Sequence, residues 1–261
     1  MNFWGHVEVL RWVLIRCLVV VFGLAVAAFC FKEFVFEDIV LAPCNGDFIT
    51  YRFLCRLSIV TGIAGLCPQL GGIEMININL ASQLMTHISV SFYLAAVVAM
   101  PYLIAEIWLF VKPALYDKEK RPARFAIVAF FFQFFLGLAL AYYLIFPLTL
   151  NFLADYQVSE SVVNQISLNS YISTFLGLLL TMGLVFEMPI VAYFFAKIGV
   201  LKNSFLKRYR KIAFVIVLVL AAFITPSTDV FTMCLVAMPL YLLYEFSRWV
   251  VCRVESKEVR S

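Results

Sequence analysis

Residues 170–196 read SYISTFLGLLLTMGLVFEMPIVAYFFA, and Lys197 closes the run. A helix needs about 20 mostly apolar residues to cross a bilayer, so this stretch is long enough to do so. Its single charged side chain is Glu187. Lys197 lies ten residues further on, which puts the carboxyl about 15 Å from that end of the helix, near the bilayer midplane. A charge at that depth costs at least ~2.5–3.5 kcal/mol. Lipid exposure is therefore excluded. Glu187 is expected to face a water-filled cavity or a polar partner, or to carry a proton. Pro189, two residues on, frees a backbone carbonyl one turn back and is expected to bend the helix around the carboxyl. The plain alternative is a buried structural glutamate bonded to a neighbouring helix.

The rest of the chain has the same character. Of 261 residues, 64% are hydrophobic and 14% charged, with mean hydropathy +0.98. Soluble domains are nearer half apolar and a quarter charged. The composition indicates an all-α polytopic membrane protein, built as one integral-membrane domain over 1–261. No polar block is long enough for a soluble domain. The first apolar run follows Glu8, Arg11 and Arg16 with no small-residue cleavage site, so it is expected to remain in the mature protein.

Six spans are expected, near 12–32, 86–111, 125–150, 170–196, 211–225 and 229–251. The apolar segment from residue 58, LSIVTGIAGLCPQLGG, is broken by Gly and Pro and reads as a packed external loop. With this topology, seventeen of the twenty Lys and Arg residues fall on one side. Only Lys32, Arg52 and Arg56 fall on the other. The positive-inside rule then places both termini and the loops 112–124 and 197–210 in the cytoplasm. The long loop 33–85 and the loop 151–169 lie outside. The fifth span is only about 22 Å long at 1.5 Å per residue, against a hydrocarbon core of about 30 Å. The sixth is barely long enough, and Pro239 is placed to kink it. A short fifth and sixth span would sit in, or create, thin membrane.

Cysteines 17, 30, 44, 55, 67, 234 and 252 show no CxxC spacing, so no metal or redox motif is indicated. Cys44, Cys55 and Cys67 share one loop, where a disulfide is available in an oxidising compartment. The simpler expectation is unpaired, small apolar residues. No HExxH or GxSxG is present, and His6 and His87 lie near span ends, which argues against an intramembrane protease. Glu187 would also suit a proton-coupled secondary transporter, the alternative reading, although no repeat halves support one.

Four motifs lie in register with this topology: HVEVLR before the first span, FVKPALYDKEKR in the first cytoplasmic loop, GLVFEMPIV in the fourth span, and ITPSTDVFTMCLVAMPLYLLYE over the last turn and sixth span. Together they resemble TatC, the polytopic subunit of the twin-arginine protein translocase, from His6 to about Arg248. The resemblance implies a concave, glove-like bundle of six helices; the expected location is a bacterial cytoplasmic membrane, with an organelle inner membrane as the alternative. It implies a receptor for signal peptides with two consecutive arginines, acting with the single-span subunits TatA and TatB in an oligomeric complex. The complex would export folded proteins on the protonmotive force. No enzyme activity, cofactor, metal or nucleic-acid partner is implied.

The loop acid that would meet the twin arginines is Glu119, since carboxylates form charge-assisted, often bidentate bonds with guanidinium groups. Phe110, Pro113 and Tyr116 match the family's frame around that loop, and Leu10 and Arg11 match its N-terminal motif. The family usually has an acid directly before Leu-Arg. Here Val9 holds that place and Glu8 precedes it, a shift of about 100° around a helix. Glu106 stands where the family commonly has Gln, one turn before Phe110 on the same face. Glu106 and Glu119 are therefore expected to share the arginine pair, with Glu8 peripheral. Near the sixth span, TPSTD is one residue longer than the family's shorter form, and Met233 replaces a common Gln. Asp229 is kept as the helix-opening acid, and with Met233 marks the expected contact with the single-span partners. Glu187 and Pro189 form the intramembrane polar site.

Overall fold

The computed structural model of the chain describes residues 3–61, 75–78, 80–111, 120–156, 165–225 and 229–258. Ten α-helices appear in order among them. The early ones are α1 (Phe3–Cys30), α2 (Ile49–Thr61), α3 (Ser82–Val111), α4 (Lys120–Leu140) and α5 (Phe146–Asp155). Then follow α6 (Leu168–Val185), α7 (Met188–Lys197), α8 (Asn203–Arg208), α9 (Arg210–Ile224) and α10 (Val230–Glu258). Two π-helical segments, Phe34–Val40 and Ala141–Ile145, extend or join these helices.

Five helical stretches among the described residues are long and apolar enough to cross a membrane: Glu8–Cys30, Ser82–Ile107, Ile127–Asp155, Leu168–Lys197 and Val230–Ser256. Each contains or overlaps an expected span. The expected fifth, 211–225, is α9, a helix of only 15 residues. The last helix departs from expectation. α10 runs unbroken through Pro239 to Glu258, beyond the expected end at 251. Its final turns carry the Arg253 guanidinium over the Trp249 ring at 3.9 Å. A cation–π contact of this kind favours continuation of the helix beyond the apolar run.

The helices form two compact units. The first comprises Met1–Phe131 and Asn151–Leu176. Here α1 lies along α3, with Phe29 stacked on His87 at 3.9 Å and Phe22 tilted against Phe92 at 6.3 Å. The described residues between α1 and α3 are tied down by hydrogen bonds. The Tyr51 hydroxyl of α2 donates to the Pro43 carbonyl at 3.0 Å, and Tyr171 donates to the Val40 carbonyl at 2.6 Å. A two-residue parallel ladder, β1 (Met75–Ile76) with β2 (Ile166–Ser167), pairs Met75 with Ile166 and Ile76 with Ser167. The hydroxyls of buried Tyr51 and Tyr171 are thus held by backbone carbonyls, which satisfies polar groups that apolar surroundings would otherwise strand. Cys55 of α2 is disulfide-bonded, against the simpler expectation of an unpaired residue, whereas Cys44 is a free thiol. Residues 62–74, most of the segment read as a packed external loop, lie outside the described residues.

The second unit comprises Phe132–Leu150 and Gly177–Ser261. Both α7 and α9 pack on α10. Two glycines set the approach of α4 to α6. A Cβ on Gly137 would stand 2.8 Å from the Met182 carbonyl oxygen and from Phe186 Cβ. A Cβ on Gly183 would meet the Phe134 ring at 2.9 Å. Small residues at such points let membrane helices approach backbone to backbone, where van der Waals packing replaces the hydrophobic effect. The outward faces are correspondingly apolar, with Leu18, Phe22, Phe132, Val215 and Phe223 all exposed. Such faces suit lipid rather than water.

Candidate functional site

Glu106 lies on the first unit's α3, one turn beyond Tyr102, so both share one helix face. Glu106 is only 5% exposed. The Tyr102 hydroxyl donates to its Oε1 at 2.8 Å. Arg16 reaches across from α1 and sets its Nη2 3.4 Å from Oε2. That approach is an ion pair without hydrogen-bond alignment, since Oε2 has no hydrogen-bond partner. The Arg16 Nε donates to the Trp12 carbonyl at 3.4 Å, one turn back on its own helix. The arrangement is a buried carboxylate, half satisfied by a phenol, facing a cation that is half in solvent.

The other residues expected to meet arginines are distributed differently. Glu8, Leu10 and Arg11 are exposed on α1. Glu8 and Arg11 make no ion pair among the described residues. Phe110 falls within α3, but its side chain is outside the described residues, as are Pro113, Tyr116 and Glu119. Glu106 was anticipated as an arginine-meeting acid. Its pairing with Arg16 was not, because nothing in the sequence says that the face of α1 bearing Arg16 turns toward α3.

Glu187 sits in the second unit at a break between α6 and α7. Its backbone has φ −76° and ψ −7°, and it caps α7 with Pro189 in the first turn. The break has a direct cause. A proline ring clashes with the carbonyl four residues back and supplies no N–H, so α6 ends at Val185 and the chain restarts after Glu187. Local bonds bridge the gap: Glu187 N–H to the Leu184 carbonyl at 3.1 Å, and Ile190 and Val191 N–H to the Glu187 carbonyl at 3.1 Å. The helix is interrupted at the carboxyl, the place where a bend is expected. Glu187 is 4% exposed, and neither carboxyl oxygen has a hydrogen-bond partner. The expected polar partner is therefore missing among the described residues. The contact points Gly137 and Gly183 lie beside it, since Gly137 is pressed against Phe186.

Asp229 opens α10, as expected. Its Oδ2 accepts from the Thr232 N–H at 2.8 Å, and its Oδ1 accepts from the Thr232 hydroxyl at 2.5 Å. An acid in this place satisfies an orphan donor and suits the positive end of the helix. Met233 is half-buried on the same turn.

A polar cluster of the second unit had little sequence signal. Glu245 pairs with Arg210 of α9 at 2.6 Å and with Arg248 at 2.9 Å. Tyr241 accepts from Arg210 Nε at 3.0 Å and donates to Glu245 at 3.2 Å. The Glu245–Arg248 pair follows from i,i+3 spacing, but Arg210 is remote in sequence and could not be read from it. Tyr244 adds a bond to the Leu206 carbonyl at 2.7 Å, and Glu255 accepts from the Asn203 N–H at 3.2 Å. These bonds tie α8 and α9 to α10.

The family model for Sec-independent protein translocase protein (TatC) matches residues 5–239. The TatC protein of Blattabacterium sp. subsp. Periplaneta americana is 33% identical over 260 residues, which cover 99% of this chain and 97% of that protein. The TatC protein of Desulforapulum autotrophicum is 34% identical over 246 residues, covering 94% of this chain and 82% of that protein. A crystal structure described as the twin arginine translocase receptor TatC superposes with a TM-score of 0.71 at 31% identity. It covers 96% of this chain and 99% of its own. The chain belongs to the TatC family, the multi-pass membrane subunits of Sec-independent protein translocation.

Proposed function

We propose that the chain is the receptor for twin-arginine signal peptides and the core subunit of a translocase that exports folded proteins. It would work in a bacterial cytoplasmic membrane with six crossings, α9 being the short fifth, and with both termini in the cytoplasm. TatA-like and TatB-like single-span subunits are its partners, and the protonmotive force is its energy source. It holds and positions its cargo and catalyses no bond-making step. The observation that supports this reading is Glu106, a carboxylate 5% exposed on an apolar helix and already facing a guanidinium. An acid in such a place suits an arginine ligand. Glu119 supplies the second carboxylate on the loop that follows, and Phe110 packs against the apolar residue after the arginines. Leu10, Arg11, Pro113 and Tyr116 frame this docking face, with Glu8 at its periphery.

Glu187 has the other role. It offers a polar group inside the membrane to the signal hairpin or to the single-span partners. Its lack of a partner among the described residues leaves it available for that purpose. Docking and transport then separate. A photo-crosslinking residue at Phe110 should capture a twin-arginine precursor and leave its twin-lysine counterpart uncaptured. In a Glu187→Ala background the crosslink should persist while export falls at least tenfold. Capture of both precursors alike, or of neither in membranes holding the folded chain and its partners, counts against the receptor reading. The second result would favour a proton-coupled transporter. Loss of the crosslink in Glu187→Ala would refute the division of roles.

A further inference from the structure

We propose that Glu106 and Tyr102 form a binding site for one arginine side chain, that the chain's own Arg16 occupies it at rest, and that an incoming arginine displaces Arg16. The proposal rests on the receptor reading above and adds a competitor to it.

The argument begins with what a carboxylate buried to this degree requires. A carboxylate accepts hydrogen bonds at both oxygens, and the stable solution in apolar surroundings is a guanidinium fork making two short parallel bonds. Glu106 has one such oxygen filled, by Tyr102 at 2.8 Å. The other faces Arg16 at 3.4 Å, out of hydrogen-bond alignment, and is a buried oxygen with no hydrogen-bond partner among the described residues. The internal arginine therefore neutralises the site without completing it.

The other end of Arg16 is equally loose. Its side chain is 53% exposed, and its only hydrogen bond among the described residues is the 3.4 Å contact to the Trp12 carbonyl. That carbonyl belongs to the same helix and lies one turn away, so the contact holds Arg16 near its own backbone and turns the fork from Glu106. An arginine on an external peptide is under no such tether. It can bring two N–H groups to Oε2, or span Oε1 and Oε2, while Arg16 swings into solvent or toward lipid phosphates at little cost. A lysine offers a single ammonium point charge and gains less from the exchange. Arg16 would thus set a threshold that an arginine ligand passes and a lysine ligand does not.

A purely structural ion pair makes the opposite prediction. Breaking it would leave Glu106 buried and uncompensated, which loosens α1 against α3 and weakens any binding there. The test is a titration of a fluorescent twin-arginine signal peptide, and of its twin-lysine version, against the full chain in lipid nanodiscs. Arg16→Gln should tighten the twin-arginine peptide about twofold to fivefold, the range expected when a half-exposed competing pair is removed. It should also narrow the preference over lysine. Glu106→Gln should weaken binding, and Arg16→Gln should bring no gain in that background. Unchanged or weaker binding by Arg16→Gln, with an unaltered unfolding midpoint, overturns the proposal. If Arg16→Gln fails to fold, Arg16→Met is read in its place, since it keeps an apolar stem and loses the charge. A gain supports displacement, and no gain overturns it. A wild-type chain that binds both peptides equally would instead overturn the receptor reading on which this rests.

Discussion

Glu187 and Glu106 are both carboxylates on apolar helices, yet they differ in legibility. Glu187 stood out because it is the only charge in a run of membrane length, and the cost of a charge at that depth makes it a signal on its own. Glu106 stands out as an acid where the family commonly has Gln, but its partner is ninety residues away along the chain. Pairings between helices depend on which faces meet, and an all-round apolar helix carries no sequence record of that. The glycines behave in the same way. Eleven are present, and only packing tells Gly137 from Gly177. A methyl on Gly137 would strike the Met182 carbonyl at 2.8 Å, whereas one on Gly177 would meet nothing within 4 Å. Gly137→Ala should therefore destabilise the second unit by about 1–3 kcal/mol through overpacking against backbone. Gly177→Ala should be neutral or stabilise by up to about 1 kcal/mol, because alanine is the better helix former. Thermal unfolding of the two variants in the same detergent checks the contrast. Equal midpoints would mean that α4 and α6 are free to separate.

The elements were legible to the extent that their signals are local. Apolar runs located every long helix, and Pro189 marked the interruption that became the break between α6 and α7. Asp229 was read correctly as a helix opener because capping is a short-range pattern. What escaped was the ordered structure between α1 and α3. Its Tyr51 and Tyr171 bonds run to backbone carbonyls, and its β pairing joins segments some ninety residues apart. The extent of α10 beyond the expected span leaves no such signal, because the residues past the apolar run are polar. The cap on α10 can be tested directly. Asp229→Ala removes both acceptors for Thr232 and should cost about 1 kcal/mol. Asp229→Asn keeps one oxygen for the Thr232 N–H and should cost less than half of that. If Asp229→Asn keeps its stability but loses export, the residue also contacts a partner subunit. If both variants lose stability and export in proportion, capping accounts for it.

At the scale of the whole molecule, the mismatch between α9 and the bilayer is the feature with the widest consequence. Hydropathy and length pointed to a short fifth crossing, and α9 has 15 residues, or about 22 Å of helix. The hydrocarbon core it would have to cross is about 30 Å thick. Its faces are apolar, with Phe214, Val215, Ile216 and Phe223 exposed, so water is no substitute for lipid there. Arg210 at its first turn is anchored to Glu245 at 2.6 Å, which limits how far the helix can slide along its axis to relieve the mismatch. As the proposed fifth crossing, α9 favours thinning of the membrane around it, at a fraction of a kcal/mol per Å. A thinned patch lowers the barrier for a polar chain to cross beside it. Inserting four leucines between Ala221 and Ala222 would lengthen α9 by about 6 Å and remove most of the mismatch. Precursor crosslinking at Phe110 should be unchanged, because the proposed docking residues lie outside the α9 segment of the sequence. Export should fall about tenfold, as expected when roughly 1–2 kcal/mol of thinning is lost from the crossing step. An insertion that folds, docks precursor and exports at the original rate would show that the shortness of α9 is incidental to transport.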